Sequence, residues 1–472
     1  MTLLSPHPDR LLPSDPAQRD IARRLYSAVK TAPIYSPHGH VDAAMLRANQ
    51  PFANPASLLI TPDHYVTRLL HANGVELHEL GLARNGHPSD VAGREIWRRV
   101  SEHWNVFRGT PVAYWFETEL SEVFGITEVP SAANSDAVYD ALAARIDTEA
   151  MLPRTLFETF NIRVLATTDD PVDDLAAHAA LMADPTFTGH VLPTMRADAY
   201  LDPLTSGWRG KLDALSAVSG ADAGTYVGLL EALRRRRAHF IAHGSTATDT
   251  GVLDAGSTPL EPADAERLHR AGLDGSITHD EATAYRHNML YRFAEMASDD
   301  GLVMQLHAGV IRNHHRPTFD AYGPDSGHDL PDRVSFTRPL EPILRDFGTN
   351  PTFRIVLFTV DESAFSREIA PLAGFYPSVF AGAPWWFLDS PAAILRYRDA
   401  VTETAGFTKT SGFIDDTRAF CSIPARHDMS RRVDAGYLAG LVARHQLSED
   451  DAHDIAVDLV STRPIETFRL PT

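Results

Sequence analysis

The sequence predicts an α/β protein built as a (β/α)8 barrel of the TIM type. Two observations carry this: eight short apolar, β-branched runs that each end abruptly in polar residues, and helix-like stretches that separate them. The runs occupy 33–37, 162–167, 190–194, 239–243, 302–306, 354–359, 378–382 and 411–415. Helical stretches at 173–183, 225–236, 280–298 and 339–347 supply the alternation expected of parallel strands joined by right-handed crossovers. The gap between the first two runs is far longer than a crossover needs and reads as several helices. The expected organisation is therefore an N-terminal segment with the first strand over 1–42, an inserted helical subdomain over 43–159, the remainder of the barrel over 160–425 and terminal helices over 426–472. A smaller excursion over 206–236 thickens the barrel, and no internal repeat is present.

Composition narrows the function classes. The 472 residues are 44% hydrophobic and 22% charged, an ordinary globular balance able to bury large cores. The lone Cys421 cannot form an intramolecular disulfide, and the N-terminus lacks the basic start and apolar run of a signal peptide. No stretch approaches the roughly 20 apolar residues that cross a bilayer. The expectation is a cytoplasmic protein with no membrane partner. A net charge of −19 repels phosphates, and Arg234 to Arg237, the best basic run, reads as a solvated helix end before a strand. No nucleic-acid partner is expected. A small anionic substrate stays open, since net charge says nothing about a local arginine pocket.

In a barrel of this type functional side chains gather at the carboxyl ends of the strands. The first run ends in Ser36-Pro37-His38-Gly39-His40, and two histidines two residues apart on an extended segment point the same way, so one ion can take both imidazoles. An isolated His-x-His is as often structural. The strand-end position favours the metal reading here. The run through Met304-Gln305-Leu306 delivers His307, and the last run supplies Asp415-Asp416 before Thr417 and Arg418. His38, His40, His307 and Asp416 together suit one divalent ion, Zn2+ by preference, with room for a water or substrate oxygen.

This spacing resembles the amidohydrolase superfamily, in which a first-strand His-x-His, a fifth-strand histidine and an eighth-strand aspartate hold one metal. The sixth run is followed by Asp361-Glu362-Ser363 and lacks the histidine that many hydrolases of that superfamily place there. Longer motifs resemble the uronate isomerase family along most of the chain: Asp63-His64-Tyr65 with Arg68 and Ala72-Asn73-Gly74-Val75; Thr167-Thr168-Asp169-Asp170-Pro171; Pro193-Thr194-Met195-Arg196; Met304 to His307 with Arg312-Asn313; Gly323-Pro324-Asp325-Ser326-Gly327; Trp385-Trp386-Phe387; and Asp416 to Phe420 with Arg426-His427. Four places depart from the commoner pattern. Ser36 and Gly39 stand where an aspartate and a cysteine are usual, Thr250 replaces the histidine of an aspartate–histidine–glycine stretch, and Met429 replaces an aromatic residue.

The resemblance implies an aldose–ketose isomerase that interconverts D-glucuronate and D-fructuronate, D-galacturonate and D-tagaturonate, or both. Such a reaction through a cis-enediol needs a base, a proton shuttle and an electrophile. Asp416 is the candidate base and Tyr65 the candidate shuttle between the C1 and C2 oxygens. Arg196 and Arg312 are candidates for the substrate carboxylate, and Arg418 for holding Asp416 or an enediolate oxygen. Trp385, Trp386 and His64 complete the expected substrate-binding set. The expected partner is a small-molecule hexuronate, with self-association into a homo-oligomer left open. A metal-dependent hydrolase of the same superfamily is the alternative, lacking an evident water-polarising base. A non-catalytic sugar-acid binding protein would have no use for the metal cluster.

Overall fold

A computed structural model of the chain describes residues 3–472. Its strands are short: β1 (Ile34–Ser36), β2 (Ile162–Ala166), β3 (His190–Leu192), β4 (Met195–Arg196), β5 (Ala247–Val252), β6 (Val303–Ala308), β7 (Val310–Ile311), β8 (Leu330–Pro331), β9 (Ile355–Thr359) and β10 (Val379–Ala381). β1–β2–β3 form one parallel sheet and β4–β5–β6–β9–β10 another, while β7 and β8 pair antiparallel as a separate ribbon. Every residue of β6 and β9 is buried, as expected for parallel strands covered on both faces.

The two parallel sheets are continuous across a break. β3 and β4 are separated by Pro193 and Thr194, and proline has no N–H to give to a ladder. Pairing continues past β2 nonetheless: Asp169 N donates to Thr194 O at 2.9 Å and Arg196 N to Asp169 O at 2.9 Å. One parallel succession thus runs β1, β2, β3/β4, β5, β6, β9, β10.

Two of the eight expected strands are corrected. Residues 239–243 lie at the end of the helix Tyr226–Ala242, where Phe240 is fully buried but Ile241 is exposed. The strand in this place is β5, which an apolar criterion misses because its buried side chains include Thr248, Asp249 and Thr250. Residues 411–415 are not a strand either. Ser411 N donates to Ala381 O at 3.0 Å, but Gly412 then takes φ +74°, leaving the extended region. A Cβ there would meet Pro464 Cδ at 2.8 Å, so the turn is reserved for glycine. The segment comes back to the first strand at its end, where His40 N donates to Thr417 O at 3.0 Å.

The basic run is only half solvated. Arg234 and Arg235 are exposed, whereas Arg236 and Arg237 are buried. Arg236 Nε donates to Pro171 O at 2.6 Å, and Arg237 Nη2 to Asp300 Oδ1 at 2.8 Å.

Seven α-helices lie between β1 and β2, from Ala43–Ala48 to Pro153–Thr159. Side-chain caps start several of them: Asp42 accepts from Ala44 N at 2.8 Å, and Asp63 from Tyr65 N at 2.9 Å. Pro55, Pro111 and Pro153 sit in first turns, where their missing N–H is no loss. Trp97, Trp115 and Phe116 from these helices share one hydrophobic cluster with Ile34, Val164 and Val191 of the first three strands. A second cluster packs Met304, Leu306, Ile355 and Leu357 against helices such as His279–Asp300. The C-terminal helix Ile423–Ala443 begins a little before the expected boundary and packs on Pro16–Val29. Among the described residues, no helix is long and apolar enough to cross a membrane.

Candidate functional site

Four side chains meet where β1, β6 and the segment after β10 end. His40 Nε2 lies 3.0 Å and His38 Nε2 3.4 Å from Asp416 Oδ1. His38, His307 and Asp416 each offer a ligand atom, and these atoms lie within 4.8 Å of one another; His40 joins this trio through its contact with Asp416. Local structure makes the arrangement. Thr168 Oγ1 donates to Gly39 O at 2.9 Å, pinning the peptide between the two histidines, and Asp416 takes φ +40° in the turn after the last expected strand.

His307 is oriented from the neighbouring strand. Its Nδ1 lies 2.7 Å from Asp249 Oδ1, which leaves Nε2 free to present a lone pair to the cluster. Asp249 is itself fully buried and lies 3.3 Å from Arg196 Nη1. Burial would raise the Asp249 carboxyl, but Arg196 and His307 hold it well below the usual carboxylate range. Burial would likewise raise Asp416, and His38 and His40 overcome it, so this carboxylate is ionised. Burial lowers His40 and His307 despite their carboxylate partners. It also works to lower His38, where the charge of Asp416 prevails and the net shift is upward.

Two buried atoms of the cluster make no well-aligned hydrogen bond: His38 Nδ1, and Asp416 Oδ1, which faces the imidazole nitrogens of His38 and His40. Unpaired buried acceptors are costly in a folded protein and call for a ligand. An ionised carboxylate beside imidazole lone pairs is a donor set that fits a divalent cation.

All eleven side chains expected from the sequence line one cavity, together with Asp325, Gly327 and Asp329. One wall is aromatic. Trp386 N donates to the Tyr65 hydroxyl at 3.0 Å, and the His64 ring stacks on Tyr65 at 5.2 Å and meets Trp386 edge-on at 4.4 Å. Trp385 stands edge-on to His307 at 4.9 Å. Burial raises the Tyr65 phenol well above its ordinary value, keeping it protonated. Burial, then the charge of Arg418, pushes His64 down to about 3, so its imidazole is neutral.

Three guanidinium groups also line the cavity, each next to a carboxylate. Arg196 Nε donates to Asp198 Oδ2 at 2.8 Å, Arg312 Nη1 to Asp329 Oδ2 at 2.7 Å, and Arg418 Nη2 to Asp325 Oδ2 at 2.9 Å. Of the two roles expected for Arg418, holding Asp416 or an enediolate oxygen, its ion pair here is with Asp325, while Asp416 lies against His38 and His40.

Sequence reasoning missed Asp249, Asp329 and Asp198 as partners in this site, and quoted Asp325 without giving it a task. Asp249 sits on the strand that was misplaced. Asp329 reaches Arg312 only because the β7–β8 ribbon folds back, and no local periodicity encodes that return.

Comparison with known proteins finds relatives along the whole chain. A family model described as glucuronate isomerase matches residues 16–468. A uronate isomerase of Corynebacterium efficiens is 51% identical over 98% of this chain and 98% of its own. One from Xanthomonas axonopodis pv. citri is 47% identical over 99% of each. The crystal structure of a glucuronate isomerase from Caulobacter crescentus superposes with a TM-score of 0.98 at 43% identity, covering 100% of this chain and 98% of that one.

Proposed function

The chain belongs to the glucuronate isomerase family, and on that premise we propose that it is a uronate isomerase interconverting D-glucuronate with D-fructuronate, D-galacturonate with D-tagaturonate, or both. One observation carries the reading: an ionised carboxylate, Asp416, and a protonated phenol, Tyr65, line the same cavity as three arginines.

The reaction moves hydrogen from C2 to C1 and the carbonyl from C1 to C2, with no net oxidation. Asp416 takes the C2 proton and returns it to C1, while Tyr65 passes a proton between the two oxygens of the cis-enediol. Arg196 and Arg312 receive the substrate carboxylate, exchanging an aspartate partner for it in bidentate fashion. Arg418, held by Asp325, faces the developing enediolate charge. Trp385, Trp386 and His64 wall the sugar. His38, His40, His307 and Asp416 would hold a divalent cation, Zn2+ by the chemistry of the donors, which when bound supplies Lewis acidity to the substrate oxygens.

The same premise extends to architecture. We read the parallel succession as a closed (β/α)8 barrel of the amidohydrolase type, supported by the contacts of Ser411 with Ala381 and His40 with Thr417. Residues 43–159 are read as a helical subdomain inserted after the first strand, and 426–472 as the C-terminal helices. A reducing cytoplasm is our proposed compartment, on the single buried Cys421.

The test is turnover of each uronate in D2O, followed by circular dichroism and NMR, with hydrolysable amides as controls. Deuterium is expected at C1 of the ketose, with partial incorporation where the base is shielded from bulk water. Asp416→Asn is expected to abolish exchange and isomerisation together. Normal turnover by that variant with no deuterium would overturn the mechanism, and hydrolysis of an amide in place of isomerisation would overturn the activity.

A further inference from the structure

Three separate stretches of chain supply the wall and the base of the cavity. Helix His64–His71 carries His64 and Tyr65, the turn 385–389 carries both tryptophans, and residues 415–418 carry Asp416 and Arg418. Arg426, in the first turn of helix Ile423–Ala443, reaches all three. Its Nη1 donates to Asp389 Oδ2 at 3.0 Å and lies 3.4 Å from the Asp415 carbonyl oxygen. Nη2 stands 3.5 Å from Asp63 Oδ2, and Nε donates to Ser422 Oγ at 3.0 Å. The guanidinium carbon lies 4.5 Å from the Tyr65 ring centre and 3.7 Å from that of Trp115.

Each contact leads on to the cavity. Asp63 caps the Tyr65 helix, its Oδ1 accepting from Tyr65 N at 2.9 Å. Asp389 N donates to Trp386 O at 3.1 Å, and Trp386 N in turn donates to the Tyr65 hydroxyl at 3.0 Å. Arg426 therefore grips both ends of the hydrogen bond that aims the phenol, and also the peptide next to Asp416. It is 0% exposed and does not itself line the cavity. Burying one guanidinium with two carboxylates stabilises a fold no better than an apolar cluster of similar volume often does. What the planar fork provides is fixed geometry between distant segments.

We propose that Arg426 is a positioning residue for the isomerisation, one that fixes the Tyr65 hydroxyl relative to Asp416 through Asp63, Asp389 and the Asp415 carbonyl. This rests on Tyr65 as the proton shuttle. A lysine keeps the charge but cannot make these divergent contacts at once. Misplacing a proton-transfer group by about 1 Å costs on the order of a hundredfold in rate.

The experiment measures kcat, KM, metal content and thermal unfolding for the wild type, Arg426→Lys, Tyr65→Phe and the double variant. Arg426→Lys is expected to lower kcat about a hundredfold with KM and metal content little changed. On the Tyr65→Phe background the same substitution is expected to cost far less, because the group it positions is gone. An equal loss on both backgrounds, or no loss of kcat, overturns the proposal and leaves Arg426 a purely structural residue. Wild-type kcat for Tyr65→Phe overturns the shuttle reading itself. Should Arg426→Lys not fold, Asp389→Asn takes its place in the same cycle, with the same outcomes deciding.

Discussion

Replacing Asp249 with asparagine keeps the side chain's shape and removes the charge between His307 and Arg196. The carboxylate lies 2.7 Å from His307 Nδ1 and 3.3 Å from Arg196 Nη1. At an effective dielectric of ~20, unit charges at that second distance attract by about 5 kcal/mol before desolvation is counted. Burial of the carboxylate offsets much of this. Removing one partner of a buried pair costs about 3–5 kcal/mol when the other charge is left alone. Arg196 is not left alone, since its Nε keeps Asp198 Oδ2 at 2.8 Å. The loss therefore falls toward that of a hydrogen bond to a charged group, about 1.5–3 kcal/mol. It is felt at His307, whose ring is no longer held with Nε2 toward the cluster. A lost carboxylate behind a ligand histidine lowers metal affinity about 10–100-fold, which agrees with that range. The assay is competition for Zn2+ against a chromophoric chelator at fixed pH and ionic strength, with unfolding of the metal-free proteins measured alongside. Unchanged Zn2+ affinity in a folded Asp249→Asn protein would refute the claim that Asp249 orients a ligand.

Two further substitutions probe other parts of the molecule. Arg312→Lys is expected to raise KM for a uronate about tenfold while barely moving the unfolding midpoint, since lysine loses the bidentate fork; the Arg312 side chain is 37% exposed, so little core packing depends on it. Equal kinetics would assign Arg312 to its Asp329 contact alone. Glu368→Gln tests pH dependence. Burial would raise Glu368, but the amides of Thr337 and Phe336 together with Arg367 hold it to about 2. Because its folded value lies below the unfolded one, its contribution is complete above the ordinary carboxylate range and disappears as pH falls through about 2. The variant is expected to melt lower than wild type at pH 7, with the gap closing on acidification. A gap of constant size from pH 7 to pH 2 would show that the charge of Glu368 is not what stabilises.

Much of the site was legible because its chemistry is written locally. His38 and His40 lie two residues apart after an apolar run, and His307 ends another, so position along the chain already implied position at a strand end. Parallel strands such as β6 and β9 were legible because most of their residues are apolar, with Gln305, His307 and Thr359 the exceptions. β5 was not, since Thr248, Asp249 and Thr250 are buried for the sake of polar contacts, and an apolar criterion cannot register them. The stretch 411–415 differs in the opposite sense: it has a strand's composition, but Gly412 takes a left-handed conformation in which a Cβ would clash with Pro464, and Asp416 just after it is left-handed too.

The sequence by itself determined the parallel α/β character, the membership of the eleven side chains in one site and the family to which the chain belongs. The parallel character and the metal-ligand candidates rest on short-range spacing and residue chemistry, and Tyr65, the arginines and the tryptophans on the resemblance to the uronate isomerase family. Tertiary structure alone decided which aspartate serves which partner: Asp249 for His307, Asp329 for Arg312, Asp325 for Arg418, and Asp63 with Asp389 for Arg426. The reason is physical. A charge pair is selected by distance and burial, and here its members come from segments that no periodicity relates, so the choice exists only once the cores have brought them together.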